Sequence, residues 1–352
     1  MGAQRQALLA ATNSGGPPGF GTKYANPATL PTSSGFAVAF SPAGDAIAVA
    51  HESSPRINAY PWSSASGFGT KYADPATLPT GNGRGVAFSP AGNAIAVAHY
   101  SSPYITAYPW SSASGFGAKY ANPATLPTGN GVGVAFNPTG NAIAVVHFTS
   151  PYINAYPWSS ASGFGTKYAN PATLPTELGL DVAFSPAGDA IAVAHFGFPY
   201  ITAYPWSSAS GFGAKYANPG ITPTGDSRGV AFSPAGDAIA VVYSNSPYIN
   251  AYPWSSTSGF GTKYANPAIT PTNTGSGVAF SPAGNAIAVA HYSSPYITAY
   301  PWSSASGFGT KYADPATLPT GNGVGVAFNP TGNAIAVAHF TSPYITAYPW
   351  NS

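Results

Sequence analysis

The chain has no cysteine, one methionine and only 6% charged residues among its 352. Without cysteine there is neither a disulfide framework nor a thiolate metal site, and the compartment stays open. Nine carboxylates in the whole chain leave little from which to assemble an acid–base site. The net charge is only +2, and seven of the eleven basic residues are one lysine repeated: Lys23, Lys71, Lys119, Lys167, Lys215, Lys263 and Lys311. Spread in this way they form no basic stripe, which argues against nucleic acid as a partner. Helical periodicity is missing, and no apolar run approaches a membrane span. Near the N-terminus, the five-residue run Ala7-Leu-Leu-Ala-Ala11 is too short for a signal-peptide core. Residues 1–16 are expected to form a flexible tail.

What is present is a repeat. Trp62, Trp110, Trp158, Trp206, Trp254, Trp302 and Trp350 stand 48 residues apart, each closing a phrase such as Tyr104-Ile-Thr-Ala-Tyr-Pro-Trp110. A fixed period of this length marks a repeat architecture, so residues 17–352 read as a single domain of seven units.

Within the second unit, Gly85-Val-Ala-Phe88 (strand A) ends at the turn signal Ser89-Pro-Ala-Gly92. Ala94-Ile-Ala-Val-Ala-His99 (strand B) alternates small and large side chains, and Tyr104–Tyr108 (strand C) is rich in residues favoured in strands. Pro109 and Trp110 are expected to end strand C, since proline cannot donate to a ladder. Phe116–Tyr120 forms strand D. In strand B, Ile95, Val97 and His99 share one face and three alanines the other. Alanine opposite large aliphatics implies that both faces are covered, as when four-stranded sheets stack around an axis. The chain opens with strand D (Phe20–Tyr24) and closes with A, B and C. The expected fold is therefore an all-β, seven-bladed β-propeller with four antiparallel strands per blade, closed by the N-terminal strand completing the last blade.

Val86-Ala-Phe-Ser-Pro-Ala-Gly92, the alternating strand after it and Tyr104-Ile-Thr-Ala-Tyr-Pro109 resemble the WD-repeat and YVTN-type propeller superfamily, over all seven units. Tyr108-Pro109 stands where Trp-Asp would be and the Gly-His before strand A is missing, so the WD hydrogen-bond network is not implied. The near-identity of the units resembles recently amplified bacterial and phage propellers. The resemblance implies an interaction platform, virion-associated or secreted, with enzymes a minority of the superfamily.

The seven copies also align with one another. They disagree mainly before strand A and after strand B, in loops that leave one face of the disc. Loops on a rigid scaffold are where binding usually sits. Phe36, Glu52, Arg56, Arg84, Tyr100, Glu177, Leu178, Asp181, Phe196, Phe198, Asp226, Arg228, Tyr243 and Asn245 are thus candidates for a ligand face. All six histidines (His51, His99, His147, His195, His291, His339) occupy one repeat position. Neighbouring copies on strand B would lie on the order of 10 Å apart, too far to share a metal. A structural hydrogen-bonding role follows, with titration expected to affect stability near pH 6. Like the tryptophans, they read as scaffold. No nucleophile motif, phosphate loop or cofactor signature appears. The expectation is a monomeric, non-enzymatic propeller presenting its variable face to a protein partner. A multivalent lectin with clefts between blades is the alternative, and a YVTN-type hydrolase a more distant one.

Overall fold

The structure, a computed structural model, describes residues 17–351, so the tail expected over 1–16 lies outside the described residues. Seven four-stranded antiparallel sheets succeed one another along the chain. In blade 2, strand A is Gly83–Phe88, B is Ala94–His99, C is Ile105–Ser111 and D is Gly115–Phe116. The A strands of neighbouring blades touch one another around the axis, which leaves D outermost.

The last blade takes its outer strand from the start of the chain. Gly19 and Phe20 pair with Asn351 and Trp350. The clasp continues beyond that pair, Gly21 N donating to Pro349 O at 2.9 Å and Tyr24 N to Ala347 O at 3.0 Å. Closure of the ring by the N-terminal strand is therefore as the sequence implies, and it leaves no unpaired blade edge between first and last units.

Alternation in strand B becomes packing between blades. Val86, Phe88, Ile95, Val97, Tyr108 and Trp110 of blade 2 lie against Ala46, Ala48, Ala50, Ile57 and Ala59 of blade 1. Each blade thus turns its large face to its predecessor's alanine face, and the contact repeats round the ring. Trp110 meets Tyr72, Phe88 and Phe116 edge-on, with centroids 5.1, 5.2 and 5.1 Å away, the arrangement that aromatic quadrupoles favour. Tyr72 belongs to the preceding blade, and its hydroxyl donates to Ser112 O at 2.5 Å. Every tryptophan is scaffold in this sense.

Two strand boundaries depart from the sequence reading. Strand C runs through Pro109 to Ser111. The carbonyl of Pro109 accepts Gly117 N at 2.8 Å, so its missing N–H also faces strand D, where the ladder is already short. Proline is tolerated there because no partner is deprived of a donor. Strand D is correspondingly only two residues long.

The histidines close the scaffold. All six are fully buried, and His99 Nε2 is hydrogen-bonded to Thr106 Oγ1 at 2.8 Å and His147 Nε2 to Asn154 Oδ1 at 3.1 Å. Burial depresses five of them (His51, His99, His147, His195, His339) to a pKa of about 4 and lowers His291. Tyr243 takes the seventh place, its hydroxyl donating to Asn250 Oδ1 at 2.8 Å. The expectation that Tyr243 belongs to the ligand face is thus corrected: it is fully buried because a phenol fills the histidine slot and keeps its hydrogen bond.

Candidate functional site

Strand A starts two residues earlier than its apolar run suggests, and it starts with a β-bulge. Gly83 pairs with His99 but Gly85 with Ala98, which leaves Arg84 as the extra residue. A bulge re-aims a side chain, and here the extra side chain turns to the axis. The same irregularity isolates Phe36, Leu180, Arg228, Ser276 and Val324, with Val132 inside a slightly wider one. In blade 2 the backbone comes close to both flanking glycines, although Ser227, Ala37 and Asp181 stand at the equivalent places in other blades. A Cβ on Gly83 would lie 2.1 Å from Arg56 O, and one on Gly85 2.4 Å from Val132 O of the next blade.

These bulged residues converge on one axial cavity of about 350 Å³. Above them, on the variable face, the residue after each histidine closes in as a collar: Tyr100, Phe148, Phe196, Tyr292 and Phe340 all line the cavity. Adjacent rings touch, Tyr100 to Phe148 at 5.5 Å and Tyr292 to Phe340 at 5.8 Å, while Phe36 meets Phe340 at 5.4 Å. Blade 1 has Glu52 and blade 5 Ser244 at the collar position.

Two arginines enter this aromatic mouth. Arg84 Cζ lies 3.7 Å from the Phe36 ring centroid and 4.3 Å from that of Tyr100. Arg228 lies 5.8 Å from Phe196 and 5.9 Å from Tyr292. Burial pulls the Arg84 guanidinium below its ordinary value, opposed by the nearby Tyr100 and Glu52. One acid is present at depth. Asp181 stands where five blades have glycine and one alanine. Its Oδ1 accepts Val182 N at 2.9 Å and its Oδ2 accepts Val230 N at 3.0 Å, so it ties blade 4 to blade 5. Protein surrounds it except along the channel. Burial raises its pKa to about 6, against the lowering effect of those two backbone donors.

Of the residues expected on the ligand face, Phe36, Arg84, Tyr100, Asp181, Phe196 and Arg228 therefore meet at the axis. The others do not join them. Glu52 is exposed at the rim and accepts Asn82 Nδ2 at 3.2 Å. Arg56 turns outward to donate to Pro79 O at 3.0 Å. Glu177 packs its side chain against the turn at Gly197, and Phe198, 63% exposed, stands beside Tyr200. Leu178 and Asp226 hold the loops through their carbonyls, which accept Phe196 N at 3.0 Å and Ser244 N at 3.1 Å. Asn245 donates to Thr224 O at 2.8 Å. Phe148, Tyr292 and Phe340 were not singled out by sequence. Their signal was an aromatic directly after histidine in five of seven copies. The aromatics that follow the histidines share a single mouth.

No family model matches the chain, and no curated protein matches it. Among solved structures it is similar to a candidate 6-phosphogluconolactonase from Bacteroides fragilis, at TM-score 0.67 and 14% identity, covering 84% of this chain and 87% of that one. That likeness corrects the expectation of a non-enzymatic chain, because the fold is shared with a protein named for an enzyme. Motifs of short spacing do not mark such a site, because the propeller gathers side chains one or more blades apart: Arg84, Asp181 and Arg228 are each on a different unit. At this identity the likeness carries the fold, a seven-bladed propeller, and no particular activity.

Proposed function

We propose that this propeller is a binding module whose working surface is the axial mouth of its variable face, where a partner or ligand inserts one small group. One observation carries the reading: six of the residues that break the repeat, from the loops and bulges of four different blades, share one cavity at the axis. A volume near 350 Å³ is at the small end of ligand sites, so the inserted group is a small molecule or a single side chain rather than a protein face. Because the collar is shared, the reading implies one ligand per chain. Repeated sugar sites between blades would instead give several.

The experiment is ligand-observed NMR with a set of small neutral and charged aromatic compounds, comparing the native chain with Ser276→Trp. Position 36, its equivalent in blade 1, already holds a ring, so the blade can carry the indole while the cavity is filled. Binding at one site that disappears in S276W supports the reading. Binding that survives S276W, or that saturates at several equivalent sites, overturns it.

A further inference from the structure

The charge balance of the axial cavity deepens that reading and rests on it. Arg84 and Arg228 lie on blades 2 and 5, three blades apart in a ring of seven, and so nearly opposite each other across the axis. The other five blades put Phe36, Val132, Leu180, Ser276 and Val324 at this position. Neither arginine forms an ion pair among the described residues, although Glu52 acts on Arg84 from a distance. Among the described residues the ion pairs are Lys71–Asp74 and Lys311–Asp314, both outside the mouth. The two acids near the arginines are engaged elsewhere, Asp181 by Val182 N and Val230 N and Glu52 by the Asn82 amide. The Nε atoms of Arg84 and Arg228 are buried without any hydrogen-bond partner.

A half-buried guanidinium with an unused donor is costly unless something accepts from it. Phe36 and Tyr100 cover the Arg84 guanidinium, and Phe196 and Tyr292 flank Arg228 at longer range, which leaves N–H edges whose fork matches the two oxygens of an oxyanion. Between the arginines, the wall carries Val134, Phe148 and Leu180, with the Asp181 carboxylate turned to its two backbone donors. The geometry points to a small organic oxyanion with a flat apolar body, received by Arg84 and Arg228 together, as the natural occupant of the axial mouth. Carboxylate is the simplest such group, and an aromatic dicarboxylate offers one to each arginine.

Calorimetric titration tests this with terephthalate, its neutral isostere terephthalamide, and inorganic phosphate. The variants are Arg84→Gln, Arg228→Gln and Ser276→Trp, with thermal melting as the check on folding. Terephthalate is expected to bind once per chain and more tightly than either other compound. Each glutamine variant should weaken it roughly tenfold or more, as for loss of a hydrogen bond to a charged group, while terephthalamide changes little. Three results overturn the proposal: no terephthalate binding, equal affinity for terephthalamide or phosphate, or indifference to R84Q and R228Q. If both aromatic compounds bind equally and S276W expels both, the axial reading survives and only the anion is wrong. If S276W expels neither, the axial reading itself fails.

Discussion

Blade interiors and the axial mouth are written in the same 48-residue unit, yet they use it in opposite ways. In an interior, the copies supply nearly the same residues, Tyr243 for histidine being one exception, and meet equivalent partners: Trp110 against Tyr72 at 5.1 Å is matched by Trp158 against Tyr120 at 5.1 Å. At the mouth, each copy supplies one bulged residue to a common space, and the seven are Phe, Arg, Val, Leu, Arg, Ser and Val. Seven identical residues could make only a symmetric ring. Substituting a few of them creates an asymmetric site without touching the packing that holds the blades. Repetition thus secures the scaffold, and departures from it determine the chemistry.

The largest expected effect strikes the interior, because its sites act together. Five buried histidines have their folded pKa depressed from 6.5 to about 4, so the unfolded chain binds more protons as the pH drops. Stability is full above pH 6.5 and is lost as pH falls from 6.5 towards 4. At 1.36 kcal/mol per pKa unit, each site contributes roughly 3 kcal/mol, and several together exceed the stability of a typical domain. Melting followed from pH 7 to 4 should show a steep fall. His147→Tyr copies blade 5, where Tyr243 bonds the equivalent asparagine. It should remove about one site's share of the acid sensitivity. A flat melting temperature across this range would show that the histidines charge without cost.

Next in size is the clasp. Deleting Gly19–Tyr24 removes the outer strand of the last blade together with Phe20 and Tyr24, whose rings lie 5.2 Å from Trp350 and 5.1 Å from Trp62. The loss should exceed about 5 kcal/mol, beyond truncation of a single large aromatic, and should leave an exposed strand edge prone to association. Calorimetry together with light scattering checks both. An unchanged transition would mean that the ring is held by blade packing alone.

The fold was legible because periodicity is unaffected by local ambiguity. Seven tryptophans in register gave blade number, and the unpaired first strand gave closure. Boundaries were less legible, since Pro109 signals a break only when its N–H side is needed. For the site, variation among copies marked Arg84, Asp181 and Arg228, but nothing local says that residue 84 points inward and residue 177 does not. That difference depends on a bulge between Gly83 and Gly85, a feature of strand pairing. Tyr243 misled for a related reason. Variation looks the same whether a residue faces a ligand or fills a buried slot.

The division of labour between interior and mouth has one direct test. Phe36→Val, Arg84→Val, Leu180→Val, Asp181→Gly, Arg228→Val and Ser276→Val, combined, make the mouth nearly symmetric and leave the apolar packing between blades in place, at the loss of the two Asp181 hydrogen bonds. Melting and terephthalate titration are then measured on the same sample. The account predicts a melting temperature within about 5 °C of the native chain and no binding. Collapse of the fold, or binding that persists in the symmetric propeller, would contradict it.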